Sequence, residues 1–120
     1  MASLLLVEDE PTLLHLEGEI LQKAGHHVQA AQSVDEAVSL LRDSEPELVV
    51  MDLSLPDVKD GLRLIHTIAE LRPNSKIIVL SGWPGELSDA PEHKLVQRIF
   101  AKPLKINLLI DAIAELTAAR

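Results

Sequence analysis

"LLLVEDEP", residues 4–11, sets four apolar residues directly against Glu8, Asp9 and Glu10, with Pro11 behind them. An unbroken apolar run of this kind fits a strand buried on both faces, which is how strands of a helix-covered parallel sheet read. The stretch therefore reads as a buried strand that ends in acids, followed by the start of a helix. Whether the rest of the chain repeats that unit decides the fold.

Four further short apolar runs follow: "HVQAA" at 27–31, "ELVVM" at 47–51, "KIIVL" at 76–80 and "RIFA" at 98–101. Helical spacing fills the gaps between them. Over residues 11–24, Leu13, Leu16, Ile20, Leu21 and Ala24 recur at three and four, and Gly25 supplies a left-handed stop. Ser33 and Glu36 form a capping box ahead of Ala37, Val38 and Leu41. A third helix fits residues 62–71, closed by Pro73, and a last one fits 106–118, with Leu109, Ile110, Ile113 and Leu116 on one face. Residues 82–97 are interrupted by Pro84, Gly85 and Pro91, so the fourth helix is weak and confined to 91–96. This alternation predicts a doubly wound α/β sheet with parallel strands and right-handed crossovers, whose site lies outside the carboxyl ends of the strands.

Bulk properties narrow the function. With 120 residues and 47% hydrophobic content the chain has the size of one domain. Nineteen acidic against 11 basic residues give a net charge of −8, which repels phosphate backbones and anionic membrane surfaces, so no direct nucleic-acid partner is expected. There is no cysteine, hence no disulfide or thiolate metal site, in keeping with a cytoplasmic setting. "LLLV" is too short and too acid-flanked for a signal peptide, and no run approaches the roughly 20 apolar residues that span a bilayer. The five histidines show no metal-ligand spacing and read as surface residues.

The predicted strand ends carry chemistry. They bring together Glu8 and Asp9 from the first, Asp52 from the third, Ser81 from the fourth and Lys102, followed by Pro103, from the fifth. Carboxylates that close repel unless protonated or bridged by a cation, and Mg2+ suits such a set because it takes one or two carboxylates and keeps positions for phosphate oxygens. An aspartate beside such an ion can attack phosphorus and form an acyl phosphate, with a lysine pairing the incoming group. Acids near a helix start also favour its dipole, and that suffices for Glu10. Asp57 and Asp60 read as loop and capping residues.

"VEDEP" at 7–11, "VVMDLSLPD" at 49–57, "IIVLSG" at 77–82 and "AKPL" at 101–104, in this order, resemble the receiver domain of two-component response regulators over nearly the whole length. The resemblance implies one receiver domain over residues 1–120, without an output domain, and a flavodoxin-like five-stranded parallel sheet of order 2-1-3-4-5 with five helices. It further implies Asp52 as phosphoacceptor and Asp9 as direct Mg2+ ligand beside Asp52. Glu8 would act through a metal-bound water and Ser54 through its backbone carbonyl, with Ser81 and Lys102 on the phosphoryl oxygens and a cis bond before Pro103. The implied donor is a sensor histidine kinase or histidine phosphotransfer protein. The implied output face is the fourth helix, fifth strand and fifth helix; separately, Leu104, Leu108 and Ala112 are expected to be exposed on the last helix, as a partner-binding face. Such a module assists its own phosphorylation and dephosphorylation without turning over an external substrate.

The chain departs from the family in places. Ile99 stands where the family places a switch aromatic, and Phe100 is one residue late, which in a strand means the opposite face. The loop after Asp52 reaches Gly61 one residue later than the common pattern. Trp83, two places after Ser81, matches a family position that helps set how fast water reaches the acyl phosphate, and it is expected to cover the site and slow hydrolysis. Two rival readings remain: a phosphorylation-independent adaptor, and a phosphohydrolase, the latter disfavoured because Ser54 stands where the haloacid-dehalogenase type has a second acid.

Overall fold

The computed structural model describes residues 2–117. Its elements run β1 (Ser3–Val7), α1 (Pro11–Lys23), β2 (His27–Ala31), α2 (Val34–Asp43), β3 (Leu48–Asp52), α3 (Val58–Leu71), β4 (Lys76–Ser81), α4 (Gly85–Ser88), a 3-10 helix (Pro91–Leu95), β5 (Arg98–Ala101) and α5 (Ile106–Thr117). The five strands pair in parallel in the order β2-β1-β3-β4-β5. This is the flavodoxin-like arrangement, in which the strand order reverses beside β1 and leaves a crevice at the carboxyl edge.

Strand alternation divides the interior into two layers. Leu5, Val7, Val49, Met51, Ile77 and Val79 face α2 and α3, meeting Ala37, Leu41, Leu64, Ile65 and Ile68. Leu4, Leu6, Leu48, Val50, Ile78 and Leu80 face α1 and α5, meeting Leu14, Leu21, Leu109 and Ile113. Burial on both faces explains why β1, β3 and β4 are unbroken apolar runs. Each such side chain taken fully out of water contributes about 1.5–3 kcal/mol. The mostly exposed β2 forms one edge of the sheet and the half-buried β5 the other.

Several boundaries and faces differ from the sequence expectation. In α1 the buried residues are Leu14, Glu17 and Leu21, whereas Leu16 is 52% exposed and Ala24 is exposed. The helix is rotated relative to its expected face, because the leucine-rich sequence offers two apolar stripes and the inward one contains a glutamate. Helix α3 begins at Val58, four residues early, where Asp57 and Asp60 tie off the first turn through the Asp57 N–H to Asp60 Oδ2 bond at 3.2 Å. The weak fourth segment places its α-helical turn at Gly85–Ser88 and makes residues 91–95 a 3-10 helix, since Pro91 and the short span leave no room for a regular helix. Leu108 on α5 is 49% exposed and Leu104, in the segment before it, is half-buried, but Ala112 is buried in the layer between the sheet and α1 and α5 and leaves the expected exposed face. The expected end of that helix at Ala118 lies outside the described residues.

Two glycines are fixed by geometry. Gly25 has φ +101°, the left-handed conformation that ends α1. At Gly61 a Cβ would stand 1.8 Å from the Leu53 carbonyl oxygen, so only glycine lets α3 lie this close to the loop after β3. Among the described residues no helix is long and apolar enough to cross a membrane.

Candidate phosphorylation site

Four adjacent strands deliver the site residues to one edge. Glu8 and Asp9 follow Val7 of β1, Asp52 ends β3, Ser81 ends β4 and Lys102 follows Ala101 of β5. Backbone bonds continue past the strand ends and hold them in register: Glu8 N–H to the Ala31 carbonyl at 3.0 Å, Leu53 N–H to Leu80 at 3.0 Å, and Lys102 N–H to Ser81 at 2.9 Å.

Glu8 is 2% exposed and Asp52 8%, while Asp9 stands in solvent. One carboxylate oxygen from each of the three lies within 4.8 Å of the others. The Lys102 ammonium donates to Asp52 Oδ2 at 2.7 Å and stands 3.7 Å from Glu8 Oε1, which has no hydrogen bond of its own. Asp52 Oδ1 accepts from the Ser54 N–H at 3.3 Å, and Glu8 Oε2 from the Glu10 N–H at 3.1 Å. Glu10 turns away from this cluster. Its carboxylate caps α1, accepting from Thr12 N–H at 3.2 Å and Leu13 N–H at 2.7 Å. Ser81, 4% exposed, accepts the Trp83 N–H on its Oγ at 3.0 Å. The Lys102–Pro103 bond is cis, as the resemblance implies, and so is Leu55–Pro56.

Burial pushes the Glu8 carboxyl above the usual glutamate range, opposed by the Glu10 N–H, reinforced by the charge on Asp52 and opposed in turn by Lys102. Burial also works against the Lys102 ammonium, but its hydrogen bond and charge contact with Asp52, with help from Glu8 and Glu17, outweigh that cost and hold it above the ordinary lysine value. Three carboxylates thus share one ammonium. A set of hard oxygen donors short of positive charge, one of them a buried oxygen without a hydrogen bond, fits a hard divalent cation.

The family model of the response regulator receiver domain matches residues 4–114. The chain belongs to this family. Among its relatives, the transcriptional regulatory protein GlrR of Escherichia coli (strain K12) is 34% identical over 114 residues, covering 93% of this chain and 25% of GlrR. This receiver domain therefore spans a quarter of that relative's length. Sporulation initiation phosphotransferase F of Bacillus subtilis (strain 168) is 27% identical over 112 residues, covering 92% of this chain and 89% of that protein. Among solved structures, the response regulator TrrA of Thermotoga maritima, in complex with Mg2+-BeF, superposes with a TM-score of 0.86 at 26% identity, covering 97% of this chain and 99% of TrrA.

The structure groups Glu8, Asp9, Asp52 and Lys102, with Ser54 joined to Asp52 and Ser81 to Lys102 through backbone N–H bonds, and some of their surroundings differ from expectation. Trp83 is 71% exposed: its N–H turns in to Ser81 while the indole stands in solvent, so it does not close over the cluster as expected. Ile99 packs against the layer that holds Leu87, whereas Phe100 packs against the layer of α1 and α5, the opposite-face placement that their one-residue offset predicts. His26 is half-buried, its Nδ1 accepting the Ala2 N–H at 3.1 Å, and His66 Nε2 meets Glu92 Oε2 at 2.8 Å across α3 and the 3-10 helix. His26 is thus more than a surface residue, whereas His66 lies on the surface as expected.

Sequence reasoning missed Glu17. It is 5% exposed, its Oε1 has no hydrogen-bond partner, and it carries a carboxyl pushed up to about 7 by burial and by the charge of Glu8. The signal lay in the spacing Leu14, Glu17, Leu21, which is as regular as the stripe chosen instead.

Proposed function

We propose that this receiver domain accepts a phosphoryl group on Asp52 from a sensor histidine kinase or histidine phosphotransfer protein, with Mg2+, and thereby alters a partner-binding surface. The carrying observation is the Lys102–Asp52 bond of 2.7 Å inside a cluster of three carboxylates. In the transfer, an Asp52 carboxylate oxygen forms a bond to phosphorus as the bond to the donor's imidazole nitrogen breaks. The imidazole keeps that electron pair and takes up a proton. Asp9 and Asp52 would hold the metal directly, Glu8 through a water and Ser54 through its backbone carbonyl. A bound Mg2+ would offset the charge of the phosphoryl oxygens, so that the Asp52 carboxylate could approach phosphorus.

Lys102 serves the phosphorylated state as it serves the resting one, exchanging a carboxylate for a phosphoryl oxygen. Ser81 Oγ donates to a second phosphoryl oxygen. The added charge, about −1.5 to −2 at neutral pH, draws on both groups, which sit at the ends of β4 and β5 and so bias α4, β5 and α5. Bonds form and break only between donor and Asp52, so the domain assists its own modification and has no external substrate to turn over. The reading treats residues 1–120 as one receiver unit working in the cytoplasm.

Ile99 at the usual aromatic position and the four-residue α4 favour a second reading, an adaptor that binds partners without phosphorylation. Incubation with a small acyl-phosphate donor separates the two. A Mg2+-dependent gain of one phosphoryl group, lost in Asp52→Asn, supports the phosphoacceptor. No gain in mass under any condition supports the adaptor.

A further inference from the structure

We propose that Glu17 is a positioning residue of the phosphorylation site, acting on Asp52 through Lys102. The proposal rests on the phosphoacceptor reading above. On the inward stripe of α1 the other two buried residues are leucines, and packing alone gives no reason for an acid between them. Glu17 is 5% exposed with Oε1 unpartnered, an arrangement that costs stability and so calls for a reason other than folding.

Its surroundings show what that is. A groove of about 310 Å³ runs between α1 and the segment after β5, with walls of Leu13, Leu16, Ile20 and Leu104, and its two charged side chains are Glu17 and Lys102. Lys102 therefore borders two acidic neighbourhoods, the cluster with Asp52 and Glu8 on one side and Glu17 on the other. The charged groups facing Glu17 from the packed elements are Glu8 after β1, Asp52 at the end of β3 and Lys102 after β5. The two acids favour the protonated form of Glu17 and the ammonium favours the ionised form. Burial adds to the former, so the carboxyl changes charge close to neutral pH.

The consequence for the site is directional. With Glu17 protonated, the Lys102 ammonium belongs to Asp52. With Glu17 ionised, a second negative field pulls on that ammonium and opposes the negative charge arriving on Asp52. Protonation of a residue that touches neither phosphate nor substrate thus favours phosphorylation.

Two measurements test this. In metal-free protein, the Glu17 carboxyl carbon is followed by NMR through a pH titration in wild type, Asp52→Asn and Lys102→Met. The midpoint falls in Asp52→Asn, which removes a facing negative charge, and rises in Lys102→Met. A Glu17 that serves only packing titrates alike in all three, and that result overturns the proposal. In the second measurement, initial phosphorylation by a small acyl-phosphate donor with Mg2+ is compared between Glu17→Gln and wild type across neutral pH. The ratio of rates rises by about three- to tenfold from the acid to the alkaline side, as expected for one charge acting at partly screened range. A ratio independent of pH overturns the proposal. Wild type that takes no phosphoryl group at any pH overturns the phosphoacceptor reading instead, and the carboxyl titration still decides whether Glu17 and Asp52 are coupled.

Discussion

A methyl group added at Gly61 would meet the Leu53 carbonyl oxygen at 1.8 Å, and Leu53 immediately follows Asp52. Gly61→Ala must therefore push α3 away from the loop that follows Asp52, and it costs about 3 kcal/mol, at the upper end of the usual range for overpacking. Urea unfolding measures this, and a loss well under 1 kcal/mol would show that the loop yields freely. Glu17 gives the opposite sign. Its carboxyl sits at about 7 in the folded chain against 4.5 ordinarily, so the folded state holds the proton more tightly and loses stability as pH rises from 4.5 through about 7. That difference corresponds to roughly 3 kcal/mol, and Glu17→Leu recovers most of it. Thermal unfolding should show Glu17→Leu raising the Tm more at pH 8 than at pH 5, and an equal gain at both would contradict the assignment. The placement of Asp9, Asp52, Ser81 and Lys102 at one edge of the sheet was legible because each stands next to an apolar run that marks a strand end. Glu17 was not, because one charged residue in an apolar stripe reads as the stripe's edge until the phase of the helix is known.

At the scale of elements, periodicity is readable where burial is one-sided or complete and fails where it is short. Strands β1, β3 and β4 declare themselves because both faces are covered. Helix α1 shows its extent but hides its rotation, since Leu13, Leu16 and Ile20 form a second stripe along the groove beside Lys102. The four residues of α4 make barely more than one turn, too few for any period to register, and only Leu87 anchors them to the core. Capping was readable in advance: Ser33 Oγ accepts the Glu36 N–H at 3.1 Å at the start of α2. Ser33→Ala is expected to cost about 1 kcal/mol in chemical denaturation. A change within error would mean that water or Gln32 replaces the cap at no cost. The face expected to carry output contains less exposed apolar surface than the sequence suggests, because Ala112 turns inward and leaves Leu108 as the large exposed apolar residue of α5 among the described residues.

At the scale of the whole molecule, the parallel sheet and its strand order gather acids from separate parts of the chain at one edge of a protein that already carries a net charge of −8. The order was legible only through the family resemblance, since alternating strands and helices fix parallel pairing but not which strand lies beside which. A cation binding the folded cluster and not the unfolded chain must stabilise the whole domain, by about 2.7 kcal/mol at a hundredfold excess over its Kd. Mg2+ should therefore raise the Tm of wild type and raise that of Asp9→Asn much less, and equal shifts in both would place the ion elsewhere. The most direct measurement traps the acceptor itself: phosphorylation with a small acyl-phosphate donor and Mg2+, reduction of the acyl phosphate by borohydride, and peptide mass mapping. The proposed chemistry requires the aspartate at 52 to be converted to homoserine in a Mg2+-dependent manner. Conversion at Glu8, Asp9 or Glu17, or at no residue while the protein is demonstrably folded, would contradict it.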